Sequence, residues 1–330
     1  MYKTTFVLFL TAFLVSCHQV HHYPTVTVSH DLSKADVEKI FEEISNWGRW
    51  GADDERGTLN LITPEKKLAA KDLMREGFAV SLSHSAIKGE LEKGEFVHDV
   101  FATGSSEEEF SGCSDEFRVR YHGFTQTHVD ALCHMMRKGE MYNGFKGSEV
   151  TREDGAKKLH VANMKEGIFT RGVLMDIARL KGEDFLDGST DIYPEDLDAW
   201  EKKTGVRVRP GDAVLIRTGR WLRNAAQPKW DYSKFAGLHA SCLPWLKARD
   251  VAVIGSDLAL DVNPSHVEGL GFPVHYGVIY SMGMPILDNN DYEQLGEECA
   301  RRGRWTFLLT VNPLVVEGGT GSPVNPIAYF

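Results

Sequence analysis

A histidine-rich segment, residues 121–134, restricts what this chain can form more than any other part of the sequence. It holds three of the thirteen histidines, His122, His128 and His134, together with Asp130. An extended backbone up to Asp130 would project His128 and Asp130 from the same face, with their Cα atoms roughly 6–7 Å apart. A helical turn after Asp130 would bring His134 to that side as well, because residues four apart share a helix face. The segment therefore predicts a cluster of ligands for a metal ion.

The same segment carries a resemblance to a known family. Thr127-His128-Val129-Asp130-Ala131, followed by His134, resembles the core motif of the metal-dependent cyclase family, which includes bacterial kynurenine formamidases and isatin hydrolases. The family pattern is close to His-x-Gly-Thr-His-x-Asp-x-Pro-x-His. The chain departs from it at Phe124, Gln126 and Leu132, which replace the first His, the Gly and the Pro. The resemblance covers most of residues 47–330 and implies a swivelling β/β/α-type fold.

The replacement at Phe124 leaves the first metal ligand of the family pattern open. His122 has the same strand parity as His128, but six residues of straight strand span about 20 Å. His122 therefore reaches a shared ion only if the chain bends, and Gly123 is a residue at which it can bend. Gln126 has suitable spacing, but an amide is a poor ligand for Zn²⁺. His122 is the candidate for this ligand, and a site with one metal rather than two is the alternative.

The resemblance implies that further ligands come from His275 and Asp288. In formamidases a His and a later Glu complete a second metal site, and here an Asp follows the His by thirteen residues. A core histidine is the alternative for His275. Asp257 lies at the end of an apolar strand, where open α/β sheets place ligands, and could support a metal-binding His. Arg217 ends another such strand and could bind a carboxylate or carbonyl of the substrate. For Asp257 and Arg217 a structural ion pair is the alternative.

Composition sets limits on the domain and its partners. The 330 residues suffice for one large α/β domain or two small ones, and 42% of them are hydrophobic. The formal net charge is −10, which argues against a nucleic acid partner. The cysteines after residue 17 show no metal or redox spacing, and we expect them to be buried and free, with disulfides as the alternative that an export signal permits. They are Cys113, Cys133, Cys242 and Cys299. We expect one mixed α/β domain over residues 33–330.

The first seventeen residues have the features of an export signal. An apolar run follows Lys3 and is too short to span a bilayer as a stable helix. Leu14-Val15-Ser16-Cys17 resembles the bacterial lipoprotein signal, in which the Cys is lipidated and becomes the first residue. An ordinary secretory signal is the alternative. We expect residues 18–32 to be a linker and the protein to be anchored by lipid in the bacterial envelope, in the periplasm or outer membrane.

The first helix is predicted over residues 33–46, because Ser33 and Asp36 form a capping-box pattern before an apolar face. A loop containing Trp47 and Trp50 follows and resembles the N-terminal signature of a longer branch of the same family. This loop is interpreted as a lid or substrate wall, with packing of the first helix as the alternative. Several strands are continuously apolar, which predicts burial on both faces. Further helices are predicted at 64–77, 194–203 and 243–248, and strands at 78–82, 172–177, 213–217, 251–255 and 305–311.

Mixed imidazole and carboxylate ligands are typical of Zn²⁺ or Mn²⁺. With His134 as general acid and base, the expected reaction is hydrolysis of a C–N or C–O bond at an acyl carbon. By resemblance the small-molecule substrate is an aryl formamide, a cyclic amide or a lactone, and Phe124, Trp47 and Trp50 would contact it. A dehydrating cyclase or lyase with the same metal, and a non-catalytic surface lipoprotein with a degenerate site, are the alternatives. We also expect a homo-oligomer.

The lipoprotein signal leads to a direct prediction. Replacing Cys17 by Ala should move the protein from the membrane fraction to the soluble fraction, because the acceptor for the lipid is lost. Fractionation of cells that express the wild type and the variant measures this. A control with Ser16→Ala should remain with the membranes. Equal sedimentation of the wild type and the Cys17 variant would show that the lipid anchor is wrong.

Overall fold

Continuously apolar strands form the centre of the molecule. The computed structural model describes residues 28–93, 95–102, 110–229 and 231–330, so Cys17, the export segment and most of the expected linker lie outside it. The strands are β1 Ala79–Ser81, β2 Val97–Ala102, β3 Ser114–Arg118, β4 His128–Asp130, β5 Val150–Thr151, β6 Gly155–Ala156, β7 Ile168–Asp176, β8 Asp191–Ile192, β9 Ala213–Arg217, β10 Gly237–Leu238, β11 Val253–Ser256, β12 Ile286–Asp288, β13 Thr306–Val311, β14 Gly321–Pro323 and β15 Ile327–Tyr329.

Helices connect many of these strands. They are α1 Lys34–Glu43, α2 Pro64–Lys71, α3 Ile177–Lys181, α4 Pro194–Thr204, α5 Arg220–Ala226, α6 Leu243–Ala248, α7 Pro273–His275 and α8 Glu293–Arg302, and a π-helical segment Tyr276–Ser281 continues α7. Within the described ranges, no helix has the length and apolarity that crossing a bilayer requires. The cysteines at 113, 133, 242 and 299 are free, as expected; the expected burial is wrong for Cys113, which is exposed.

Nine strands form one mixed sheet in the order β1-β15-β13-β7-β9-β11-β12-β4-β14. The central strands β7, β9, β11 and β12 are parallel neighbours, and the pairs outside them are antiparallel. The expected mixed α/β domain is therefore confirmed. Strand β4 lies between β12 and β14, so a three-residue strand is hydrogen-bonded on both sides.

Both faces of the sheet are buried, which explains why polar and apolar residues do not alternate along its central strands. In β9, Val214 and Ile216 pack into one hydrophobic cluster, which includes α1, α4 and α6. Ala213 and Leu215 pack into the cluster on the opposite face. Because successive strand side chains point to opposite faces, burial on both sides requires apolar residues at every position. The strand expected at 213–217 is confirmed.

The first helix begins where the capping box predicts and ends earlier than its apolar pattern predicts. The Ser33 hydroxyl accepts from the Asp36 N–H at 3.2 Å, and the Asp36 carboxylate accepts from the Ser33 N–H at 2.9 Å. The helix ends at Glu43, because the Asn46 N–H donates to the Ser281 carbonyl and holds the chain against the π-helical segment. Leu32, expected in the linker, is buried in the same core as Val37.

The second helix also ends earlier than predicted. It begins with Thr63 as N-cap and Pro64 in the first turn, but it ends at Lys71 rather than near Gly77. The reason is pairing with the sheet, because the Glu76 and Phe78 N–H groups both donate to the Phe330 carbonyl. Those backbone bonds require an extended chain and therefore stop the helix.

Arg217, expected as a substrate clamp, lies in a buried ion-pair network. Strands β7 and β9 pair so that Asp176 stands opposite Arg217, and the Arg217 Nη1 donates to Asp176 Oδ1 at 2.8 Å. The Arg217 Nη2 donates to Glu293 Oε2 at 2.5 Å. The Arg217 side chain is 6% exposed and that of Asp176 is fully buried. The geometry is that of the structural ion pair, the alternative for this residue.

Replacing Arg217 by Met should lower the free energy of unfolding by roughly 3–5 kcal/mol, because Asp176 would keep a buried charge without its main partner. Chemical denaturation measures the change. Arg179→Met is the matched control, since Arg179 contacts the same carboxylate at 3.0 Å but is 36% exposed. That variant should lose about 1 kcal/mol or less. Equal losses in the two variants would contradict the structural role of Arg217.

Candidate metal centre

The pairing of β4 with β12 brings three potential ligands to one face. His128 stands opposite Asp288 in the antiparallel register, and Asp130 stands opposite Ile286. Residues directly opposite each other share a face, as do residues two apart in one strand. His128, Asp130 and Asp288 therefore point to the same side. Val129 and Leu287 lie between them and are buried in the hydrophobic cluster on the other side.

The orientation of the His128 ring is fixed by the backbone. Its Nδ1 lies 2.8 Å from the Gln126 carbonyl, which can only accept, so Nδ1 carries the proton. The Nε2 faces the site and lies 3.4 Å from Asp130 Oδ1. A backbone carbonyl that holds the far nitrogen is the usual support of a metal-binding histidine.

His122 reaches the same carboxylate because the chain bends. The bend that His122 requires is present: strand β3 ends at Arg118, residues 122–126 form a series of bends, and the chain is extended again from His128 to Asp130. Gly123 adopts a φ of +146°, a conformation that residues with a side chain rarely adopt. As a result the His122 Nδ1 lies 2.9 Å from Asp130 Oδ1. The opposite ring nitrogen lies 3.0 Å from the Thr320 hydroxyl.

His134 lies in a turn and not in a helix. A helical turn after Asp130 does not form, because the Ala131 and Cys133 N–H groups donate to carbonyls of Thr320 and Leu159, and the His134 N–H closes a turn with the Ala131 carbonyl at 3.0 Å. The His134 Nε2 is nevertheless 3.8 Å from Asp130 Oδ2.

The environment of the His134 ring differs from that of the buried His128. The His134 ring stacks on that of His122 with centroids 4.1 Å apart. Its side chain is 27% exposed, against 2% for His128. Burial lowers the pKa of His134 to about 4, although Asp130 acts in the opposite direction.

His275 enters the site from α7 with its own carboxylate support. Its Nε2 lies 3.2 Å from Asp288 Oδ2, and its Nδ1 lies 2.5 Å from Asp261 Oδ2. Asp261 also accepts from the backbone N–H groups of Val274 and His275, which holds the start of the helix.

The supporting role considered for Asp257 thus belongs to Asp261. The Asp257 carboxylate instead accepts from the backbone of Thr218, Gly219 and Arg220 and orders the start of α5. It remains a buried structural acid beside the sheet.

The carboxylates of the site have opposite pKa shifts. Burial alone would raise the pKa of Asp130, but the surrounding imidazoles, His134 first and then His122 and His128, hold it well below its usual range. Burial raises the pKa of Asp288 despite its contact with His275. Asp130 is thus the anionic centre around which the histidines are arranged.

The residues fit a divalent cation. His122, Asp130 and His134 form one group whose ligand atoms all lie within 4.8 Å of one another, and His128, Asp130 and Asp288 form another. Three buried atoms of these residues make no hydrogen bond: His122 Nδ1 and Asp130 Oδ1, which lie 2.9 Å apart without hydrogen-bond geometry, and Asp288 Oδ1. Buried polar atoms without partners are costly, and cations bound by these groups would satisfy them. Asp130 belongs to both groups.

A cavity of about 180 Å³ opens onto these ligands. Its apolar wall includes Phe124, Met135, Ala259 and Phe272. Phe124 also packs on Phe235, with ring centroids 5.5 Å apart. The cavity thus combines a polar floor with an aromatic wall, which is typical of small-molecule sites.

The two tryptophans expected beside the substrate do not line this cavity. The Trp47 Nε1 donates to the Tyr280 carbonyl at 2.8 Å, and its ring meets the Tyr280 ring edge-on. The Arg49 guanidinium lies over the Trp50 ring, 4.8 Å from its centroid. Their contacts match the alternative interpretation, in which this loop packs the first helix on the domain.

The residues that touch the ligands or their loop and were not predicted include Asp261, Thr320 and Asn289. Thr320 belongs to a turn-rich segment that precedes β14 and pairs with the region around Asp130. No local pattern marks these residues, because their partners lie far away in the sequence. The one sequence feature that could have indicated any of them is the acidic side chain of Asp261, which precedes the candidate ligand His275.

Comparison with known proteins identifies the family. The family model described as "Putative cyclase" matches residues 26–262. The chain belongs to this cyclase family. No curated protein matches the chain.

Solved structures share the cyclase fold. A crystal structure of a novel cyclase is 29% identical, with a TM-score of 0.78 over 88% of this chain and 99% of that chain. Isatin hydrolase A from Labrenzia aggregata, bound to benzyl benzoate, is 19% identical, with a TM-score of 0.57 over 81% of this chain and 98% of the hydrolase. Isatin hydrolase A from Ralstonia solanacearum is 20% identical, with a TM-score of 0.53 over 81% of this chain and 97% of its own. The expected cyclase-type fold is confirmed.

The shared carboxylate leads to a prediction about metal content. Replacing Asp130 by Asn should reduce bound metal to background, because both ligand groups lose their common anion. Metal analysis of purified protein measures this. Asp257→Asn is the matched control, since Asp257 is equally buried but lies outside both groups. Metal retained by the Asp130 variant at the wild-type level would contradict the assignment.

Proposed function

We propose that this chain is a metal-dependent hydrolase that cleaves a C–N or C–O bond at an acyl carbon. The observation that carries the proposal is the convergence of His122, His128 and His134 on the single carboxylate of Asp130, at the floor of a cavity. Family membership supports an enzyme of this class.

The ligand set favours Zn²⁺ or Mn²⁺. His122, His128, Asp130 and Asp288 would hold the ion, with His275 beside Asp288. The ion would polarise a substrate carbonyl and make a water molecule acidic enough to attack near neutral pH. The protein orients its ligands in advance, through Gln126 for His128 and through Thr320 for His122.

His134 is the proposed general acid and base. Its ring lies beside the ligand cluster and is more exposed to the cavity than that of His128. From there the imidazole can take the proton of the attacking water and return it to the leaving nitrogen or oxygen. Stacking on His122 keeps the ring in place without a further hydrogen bond.

The substrate proposed is an aryl formamide, a cyclic amide or a lactone. The aromatic wall, with Phe124 and Phe272, favours a planar apolar body, and a cavity of about 180 Å³ limits its size. Contacts between aromatic rings in offset or edge-on geometry would orient the scissile bond toward the polar floor. We also propose export and lipid anchoring of the mature protein, and assembly as a homo-oligomer.

Replacing His134 by Ala should lower kcat by roughly 10²–10⁴-fold, the usual contribution of general acid–base catalysis, and should leave metal content unchanged. The measurement is steady-state hydrolysis over a panel of formanilides, lactams and lactones, with metal analysis of the same samples. Met135→Ala is the control, because it changes the cavity wall next to His134 without removing the proposed base. This variant should alter KM more than kcat.

Two outcomes would contradict the assignment. Loss of metal from the His134 variant would make His134 a ligand, and full activity would leave the mechanism without its base. The mass of the product separates hydrolysis from the dehydrating alternative, since only hydrolysis adds the mass of one water.

A further inference from the structure

Asn289 directly follows Asp288 and faces the loop that carries His122. Its side-chain Nδ2 donates to the Gly123 carbonyl at 2.6 Å and to the Gln126 carbonyl at 3.2 Å. The Asn289 side chain is fully buried. One amide therefore ties both ends of the segment between His122 and His128.

The backbone of Asn289 adds a third tie to the same segment. Its carbonyl accepts from the Thr127 hydroxyl at 2.7 Å, and its N–H donates to the Leu258 carbonyl at 3.0 Å. Residue 289 has a φ of +54°, in the left-handed region that asparagine tolerates better than most residues with a side chain. The conformation turns the chain immediately after β12, so that the side chain faces the loop.

The bonds of Asn289 coincide with those that orient the histidines. The Gln126 carbonyl that accepts from Asn289 also accepts from His128 Nδ1. The Gly123 carbonyl belongs to the residue at which the chain bends to bring His122 beside Asp130. His128 is already fixed by strand pairing on both sides, whereas His122 lies outside any strand. The orientation of His122 is therefore the one that depends most on Asn289.

We propose that Asn289 is a positioning residue for the metal centre, which holds the bent loop so that His122 can serve as a ligand. The inference rests on the proposed metal site and adds a residue outside the proposed ligand set. Residues that orient metal ligands commonly change metal affinity about 10- to 100-fold when they are replaced. Asn289 should act mainly through His122, because strand pairing already fixes His128 on both sides.

The test compares Asn289→Asp with Asn290→Asp. Asn290 is also fully buried, and its amide also donates to two carbonyls, those of Ser256 and Leu287, away from the loop. Both changes place a carboxylate where an amide faced carbonyl oxygens. Zn²⁺ affinity, measured by competition with a fluorescent chelator, should fall about 10- to 100-fold for Asn289→Asp and should be unchanged for Asn290→Asp. The visible spectrum of bound Co²⁺, which responds to the number of its ligands, should change in the first variant alone.

A double variant tests the path of the effect. If Asn289 acts through His122, His122→Ala with Asn289→Asp should bind Zn²⁺ within about twofold of His122→Ala alone, because coupled residues are not additive. Additive losses, unchanged affinity in Asn289→Asp, or an equal loss in Asn290→Asp would each overturn the inference. Asn289→Gly, which accepts the positive φ and lacks the amide, replaces the Asp variant if that variant does not fold. The proteins could show these differences in Zn²⁺ affinity while the wild type hydrolyses no substrate. That result would refute the proposed function and leave this inference standing.

Discussion

The pairing of β4 with β12 is the constraint on which the site depends. Strand β4 has three residues, and its register sets which side chains face the cavity. A slip of one residue would turn His128 and Asp130 toward the core and Val129 toward the ligands, because strand side chains alternate. Burial of Val129 and Leu287 prevents that slip. The same hydrophobic contact therefore holds the sheet together and selects the metal-binding face.

Around this pairing, each candidate ligand has a separate support. A backbone carbonyl orients His128, a hydroxyl orients His122, and Asp261 orients His275. These supports come from three different parts of the chain. A histidine with one nitrogen already bonded can present only the other to an ion, which reduces the number of arrangements that compete with the correct one. The site is thus ordered by its surroundings before any ligand arrives.

Sequence reasoning located much of the site because its signals were local. His128 and Asp130 are two residues apart, so strand parity alone placed them together, and the family resemblance added His275 and Asp288. Strand parity was insufficient where local geometry depends on distant partners. The bend that brings His122 to the site could be stated only as a condition, with Gly123 as its place. This bend and the turn at His134 are set by hydrogen bonds to residues near 289 and 320. The predicted helix ends were wrong for the same reason, because the N–H groups of Glu76 and Asn46 donate to backbone carbonyls far away in the sequence.

The contact between His122 and Thr320 joins residues 198 positions apart. Strand β14, which follows Thr320, closes the outer edge of β4. Contacts of such separation form late in folding, since the entropy of closing a long loop must be overcome first. A ribosome must therefore synthesise almost the whole domain before the ligand-bearing strand gains its second neighbour. The proposed metal site is consequently completed late in the synthesis of each chain, after residues near 320 have reached the loop that carries His122.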